Sequence, residues 1–266
     1  MEPMEPPEPS APRNADRELL DLAVELARQA GELTLRWFRR PGLHVDTKAD
    51  GTPVTEADRA AERMIRTTLG ERRPRDAVLG EEEGAQAGET GVRWIIDPID
   101  GTKAFTQGVP LYSTLVAAID EAGPAVGVIH LPALGEIVYA GRGLGCWCNG
   151  EPARVRPAPG RAQDAYVMTS GLETWRPDVL AAVIDAGVRL RTWGDAYGYA
   201  LVATGRADGM VDPVAELWDL APMSVIIPEA GGRFTTLEGA CDAAGGSGVG
   251  TNGGWHDELL ALLRGA

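Results

Sequence analysis

The stretch WIIDPIDGTKAF, residues 94–105, ends an apolar run with two carboxylates, Asp97 and Asp100, three positions apart. Pro98 restricts the backbone between them, and Gly101 and Thr102 follow at once. Alone, such a segment fits a turn and a helix cap as well as it fits a metal and phosphate site. Other acids bear on the choice. GEEEG, residues 80–84, follows the strand-like AVL, which puts Glu81 at a strand end; by itself it reads as a solvated acidic loop. Asp58, in VTEAD, lies on the first turn of a helix, where a carboxylate suits the macrodipole and needs no further role. Asp219, in the Trp218-Asp219 pair, opens the apolar helix LAPMSVIIPEA and by itself is an N-cap.

Together these acids make a specific set. Glu81, Asp97, Asp100 and Asp219 supply hard oxygen ligands of the kind Mg²⁺ takes, and the Ile99 carbonyl and Thr102 hydroxyl would complete it. Converging carboxylates without a cation would repel one another. Gly101 and Thr102 fall at a helix N-terminus, where free N–H groups bind phosphate. Metals about 3.5–4 Å apart are the usual clamp for phosphoryl displacement.

The elements that must position these residues are legible as periodicities. Leu19, Leu20, Ala23, Val24, Leu26, Ala27, Leu33 and Trp37 predict a helix from Asp16 to about Arg39. VTEADRAAERMIRTTL, residues 54–69, predicts a second, opened by a Thr55 capping box. DAVLG, VRWIID, STLVAAID, PAVGVIH and GEIVYAG are apolar runs of strand length, and DEAG at 120–123 is a hairpin signal. Beyond the Pro/Arg-rich EPARVRPAPGRAQD, strands and helices alternate to the closing helix GGWHDELLALLRGA. The expected organisation is a disordered Glu/Pro tail over 1–14, an α+β subdomain carrying the metal site over 15–157, and an α/β subdomain for substrate recognition over 158–266.

The bulk numbers bound the function. A chain of 266 residues, 44% hydrophobic, can bury a sizeable core. A net charge of −14 argues against nucleic acid and anionic membrane surfaces as partners. No apolar run reaches the roughly 20 residues of a membrane span, and the N-terminus lacks the features of a signal peptide. The odd count of three cysteines fits reduced thiols in a cytoplasmic protein, with Cys146 and Cys148 on alternate positions of a strand.

GEE, DPIDGT and a Trp-Asp pair with Gly231-Gly232 eleven residues on are similar to the motifs of the Mg²⁺-dependent, lithium-sensitive inositol monophosphatase superfamily, over about residues 16–264. The resemblance implies an α/β fold, a layered α-β-α-β-α sandwich, often a homodimer. It implies a first metal on Glu81, Asp97, the Ile99 carbonyl and Thr102, and a second on Asp97, Asp100 and Asp219. A third, weaker metal would lie near Glu81. Asp58, with Thr102, would orient the attacking water; Lys48 matches the lysine preceding this segment. The implied reaction is in-line attack of metal-activated water on a small phosphate monoester, without a phospho-enzyme, while the Gly101 and Thr102 N–H groups hold phosphoryl oxygens.

These motifs fix the reaction and leave the alcohol open. DGTKAF…GVPLYSTL and the GDxYxYxLxAxG pattern look most like the histidinol-phosphate phosphatases of the superfamily, enzymes of histidine biosynthesis. Asp195 and Asp212 would pair with the ammonium and imidazole of such a substrate, with Asp100 and Asp219 also facing it. Asp212 stands where the family usually has a longer glutamate, and Glu216 where a basic or neutral residue is expected; both would make the pocket more acidic. Tyr197 and Tyr199 either frame a ring or pack in the core. The alternatives are inositol-1-phosphate, another cyclitol or amino-sugar phosphate, a nucleotide 3′-phosphate, or a non-catalytic metal- or phosphate-binding protein on the same fold.

Overall fold

The computed structural model describes residues 14–49 and 51–265, so the expected tail lies, Asn14 aside, outside the described residues. The elements run α1 (Arg17–Thr34), β1 (Val45–Thr47), β2 (Pro53–Thr55), α2 (Glu56–Arg72), β3 (Ala77–Gly80), β4 (Gly84–Gln86), β5 (Arg93–Asp100), α3 (Thr102–Thr106), β6 (Ser113–Asp120), β7 (Gly123–Leu131), β8 (Glu136–Gly141), β9 (Gly145–Cys148) and β10 (Glu151–Pro152). They continue β11 (Tyr166–Met168), α4 (Pro177–Asp185), β12 (Arg189–Arg191), α5 (Ala196–Ala203), β13 (Gly209–Asp212), α6 (Leu217–Leu220), α7 (Met223–Glu229), β14 (Arg233–Thr235), β15 (Gly248–Thr251) and α8 (His256–Arg264).

One sheet has the order β10-β9-β8-β7-β6-β5-β3-β4 and a second the order β12-β11-β13-β15-β14. The first is antiparallel except where β3 lies parallel to β5. Its strands read as unbroken apolar runs because both faces are covered. On β6, Val116 and Ala118 face a core shared with α1 and α2, while Leu115 faces the core shared with α5 and α7. The second sheet is backed on its far face by α4 and α8, through Val183, Val211, Val249 and Leu259. The layers are therefore helix, sheet, helix, sheet, helix, as the resemblance implied.

Three expectations need correction. The first helix stops at Thr34 rather than near Arg39. There the chain turns so that Trp37 and Phe38 pack over Ile99, Phe105 and Tyr112, with Phe38 centred 5.0 Å from the Tyr112 ring. The apolar run after Asp219 is two short helices, α6 and α7, meeting at Pro222. Asp219 is not the N-cap of α6 but its third residue, accepting a hydrogen bond from the Glu216 N–H in a capping box. Strand β15, paired to both β13 and β14, falls in a glycine-rich stretch that carries no strand signal.

Candidate active site

The parallel pairing of β3 with β5 brings their carboxyl ends side by side, and the Glu81 N–H donates to the Ile96 carbonyl at 3.2 Å. Glu81 therefore emerges beside Asp97. Beyond Asp97 the β5–β6 register shifts before Asp100, and such an irregularity re-aims side chains. Asp97 Oδ1 folds back to accept the Ile99 N–H at 3.0 Å. Asp100 does not cap the helix that follows it. That place is taken by Gly101, at φ 79°, and Asp100 Oδ2 instead accepts from Ser113 Oγ at 2.8 Å and from the first N–H of α5, Ala196, at 2.7 Å.

One oxygen each from Asp97, Asp100 and Asp219 lies within 4.8 Å of the others. Burial, then the charges of Glu81, Asp100 and Asp219, holds the Asp97 carboxyl well above its ordinary pKa. Burial, then Asp195 and Asp219, does the same to Asp100. Burial pushes Asp219 up to about 7. Glu81 lies outside this trio and is gripped by Lys48 Nζ at 2.6 Å. Lys48 reaches Glu82 at the same distance, and although burial opposes it, its hydrogen bonds to Glu81 and Glu82 hold the ammonium above its usual pKa. The three glutamates diverge: Glu81 lines the cleft, Glu82 is turned inward, and Glu83 stands 3.6 Å from Arg66.

Asp58 sits fully buried at the third position of α2, its Oδ2 accepting from the Thr55 N–H at 2.8 Å and the Thr55 hydroxyl at 2.5 Å. Its Oδ1 is 3.4 Å from the Thr102 hydroxyl, which donates to the Ile99 carbonyl at 2.9 Å. Burial raises the Asp58 pKa. So the Ile99 carbonyl, the Thr102 hydroxyl and the Asp58 carboxylate form one contiguous polar edge of the cleft.

The opposite wall comes from the C-terminal half. Asp195, at the start of α5, has φ 52° and ψ −155°, a region nearly reserved for glycine. The Asp195 N–H donates to Ser170 Oγ at 2.9 Å, and Ser170 Oγ donates to Asp212 Oδ1 at 2.6 Å. A side chain on Gly101 would come within 2.9 Å of Asp195 Oδ2, so Asp195 overhangs Gly101, the residue expected to cradle phosphate. Burial raises Asp195 and pushes Asp212 up to about 7. The cleft, about 450 Å³, is lined by Glu81, Asp97, Asp100, Thr102, Asp195, Asp212 and Asp219 among others. Tyr199 reaches a chamber beneath it. Tyr197 is half-buried against the middle core with Arg206 stacked over it, and it lines neither space. Glu216 is an exposed N-cap and does not acidify the pocket as expected.

Three functional partners have no sequence signal beyond a polar residue near an element end: Ser113, Ser170 and Glu62. Glu62 is wholly buried on α2 and accepts the N–H groups of Glu82 at 2.8 Å and Glu83 at 3.1 Å. It fixes the loop that carries Glu81.

The donor set fits a metal. Asp97, Asp100 and Asp219 are oxygen donors converging in a buried space, and the nearby ammonium groups of Lys48 and Lys103 are turned to Glu81 and Glu82 and to Glu173. Carboxylates so placed are stabilised by a hard cation. The inositol monophosphatase family pattern matches residues 15–266. The chain belongs to the inositol monophosphatase family. It is 44% identical over 253 residues to the histidinol-phosphatase of Mycobacterium tuberculosis, covering 92% of this chain and 97% of that one. It is 43% identical to the histidinol-phosphatase of Chlorobaculum parvum, covering 92% and 96%. Its fold superimposes on the IMPase of Thermotoga maritima with a TM-score of 0.85 at 31% identity, covering 93% and 97%. As a member of this family the protein is a phosphoric monoester hydrolase.

Proposed function

We propose that this phosphatase hydrolyses L-histidinol phosphate to L-histidinol and phosphate, and so serves histidine biosynthesis. One observation carries the choice of alcohol: Asp195 and Asp212, bridged by Ser170, put two more carboxyl groups into the cleft beside the Asp97–Asp100–Asp219 cluster. An ester with a phosphate at one end and an ammonium beside it matches that polarity. The two histidinol-phosphatases at 44% and 43% identity support the same reading.

Two or three Mg²⁺ ions would be held by Glu81, Asp97, the Ile99 carbonyl, Asp100, Thr102 and Asp219. Bound there, they supply the positive charge that a phosphate dianion and its nucleophilic water require. The protein's own groups do the rest. The Gly101 and Thr102 N–H groups orient two phosphoryl oxygens. The Thr102 hydroxyl, turned to the Ile99 carbonyl at 2.9 Å, would swing to Asp58 Oδ1, 3.4 Å away, give it its proton and take one from the attacking water. Asp195 and Asp212 hold the leaving alcohol by its cationic end. Segment 15–157 thus contributes most of the metal ligands and segment 158–266 the leaving-group wall. We place the enzyme in the cytoplasm, as its three free cysteines suit, and as a homodimer, as the family resemblance implies.

The test is phosphate release with Mg²⁺ from L-histidinol phosphate, inositol-1-phosphate, fructose-1,6-bisphosphate and 3′-phosphoadenosine-5′-phosphate. The expected kcat/KM for histidinol phosphate exceeds the others by at least ~10-fold, about 1.4 kcal/mol of differential transition-state binding. Asp100→Asn should abolish turnover of all four. Equal or faster turnover of inositol-1-phosphate would move the assignment to that ester, the reading favoured by the likeness to the Thermotoga maritima IMPase.

A further inference from the structure

Below the Asp195 overhang the cleft opens into a chamber of about 120 Å³ lined by Asp100, Ser170, Asp195, Tyr199, Asp212 and Asp219. Tyr199 is 1% exposed, and its hydroxyl makes no hydrogen bond within 3.5 Å, although the Asp212 carboxyl lies close enough to act on it. Its ring packs on glycine: a side chain on Gly250 would come within 3.0 Å of the ring, and one on Gly248 within 2.4 Å of the hydroxyl. The Phe234 ring lies 6.2 Å away, centre to centre. Phenylalanine would keep the ring packing against Gly250 and Phe234 and would lose only the hydroxyl over Gly248. A buried hydroxyl without a partner is destabilising, so its presence at the edge of a cleft calls for a ligand atom.

We propose that Tyr199 is a specificity-determining residue whose Oη accepts a hydrogen bond from the ammonium group of the departing alcohol. This rests on the reading that the substrate is a cationic phosphate ester. An ammonium has three N–H donors and no acceptor. The chamber answers with three acceptors: the Asp195 carboxylate, Asp212 Oδ2 (its Oδ1 is taken by Ser170) and Tyr199 Oη. The phenol, free to rotate, turns its own proton toward the Asp212 side. A neutral cyclitol hydroxyl brings a single donor and no charge, and leaves the chamber half-satisfied. The chamber is also too small for an imidazole and a side chain together, so the ring stays in the wider cleft above while the ammonium enters.

The experiment compares L-histidinol phosphate with its desamino analogue, in which hydrogen replaces the ammonium, using the full-length Mg²⁺-loaded enzyme and Tyr199→Phe. Wild type should prefer the ammonium ester in kcat/KM, and Tyr199→Phe should cut that preference about tenfold, chiefly through KM. Its thermal midpoint should stay close to that of wild type, because the hydroxyl makes no close hydrogen bond within the protein. An unchanged preference, or the absence of any preference in wild type, overturns the proposal. So does an equal loss on both esters with a lowered midpoint, which would make Tyr199 a packing residue. If inositol-1-phosphate outruns histidinol phosphate while the amino-over-desamino preference still depends on Tyr199, the assigned substrate fails and the ammonium site stands.

Discussion

Asp195 holds φ 52° and ψ −155°, which a residue with a Cβ adopts at a cost of about 1–3 kcal/mol. The conformation is imposed from outside the residue. Ser170 takes its N–H, Asp100 takes the next N–H along, and Gly101, lacking a side chain, leaves room for its carboxylate. The strain brings a carboxyl group over Gly101, the proposed phosphate cradle, that an ordinary helix start would direct elsewhere. Two substitutions separate strain from charge. Asp195→Asn removes the charge and keeps the Cβ, whereas Asp195→Gly removes both and restores some unfolded-state freedom worth about 0.5–1 kcal/mol. In metal-free urea unfolding, Asp195→Gly should be more stable than Asp195→Asn by about 1 kcal/mol, and both should lose selectivity for the cationic ester. A glycine variant weaker than the asparagine one would show that the backbone at 195 is not strained.

At the scale of elements, α2 acts through Glu62. That side chain, with no exposure, ties the 80–84 loop to the helix by two backbone N–H groups and is itself held by Arg66 at 2.8 Å. Glu62→Ala takes the acceptor away from those part-buried donors, at about 0.5–1.5 kcal/mol each, and frees Glu81 from its register beside Asp97. We expect a lowered urea midpoint together with a raised Mg²⁺ requirement for activity; a midpoint change with an unaltered Mg²⁺ dependence would limit Glu62 to stability. The same helix shows why some of this chain is legible and some is not. Its capping box, apolar face and Asp58 are local patterns, and the long strands β5 to β8 of the large sheet are local runs, so both can be read directly. Glu62 looks like any helical glutamate until the loop is folded against it. Strand β15 is invisible for the same reason: Gly248 and Gly250 read as breakers, but they are glycine because the Tyr199 ring lies against them. The end of α1 is set by a remote aromatic cluster, and the break between α6 and α7 at Pro222 accompanies its close approach to Gly127 of β7. Likewise the acids of the cleft are conspicuous in DPIDGT and GEE, while Ser113 and Ser170, which orient two of them, are ordinary serines until two sheets meet.

The molecule as a whole carries a charge of −14 and concentrates part of it in one buried cleft, so its stability must be linked to protons and metal. Burial sets Asp212 and Asp219 at about 7 in the folded, metal-free protein, against about 4 in an unfolded chain. Between roughly pH 4 and 7 the folded state therefore binds more protons than the unfolded state, and stability falls as the pH rises through that window. Asp76 works in the opposite sense. Burial would raise it, but hydrogen bonds from Thr90, Arg73 and Trp94 prevail and hold it below its ordinary pKa, so its contribution is lost only as the pH falls below about 4. The metal-free protein should thus be most stable near pH 4, still close to that maximum at pH 5, and weaker at pH 8 by on the order of a few kcal/mol. A cation bound by deprotonated carboxylates reverses the trend: Mg²⁺ at about 100 times its dissociation constant adds about 2.7 kcal/mol, and it does so more readily at pH 8, where it has fewer protons to displace. Urea midpoints at pH 5 and 8, with a chelator or with saturating Mg²⁺, check this directly. The expected pattern is a large Mg²⁺ effect at pH 8 and a small one at pH 5. Equal Mg²⁺ effects at the two values, or a metal-free protein as stable at pH 8 as at pH 5, would mean that the acids of the cleft do not share one cation-dependent equilibrium.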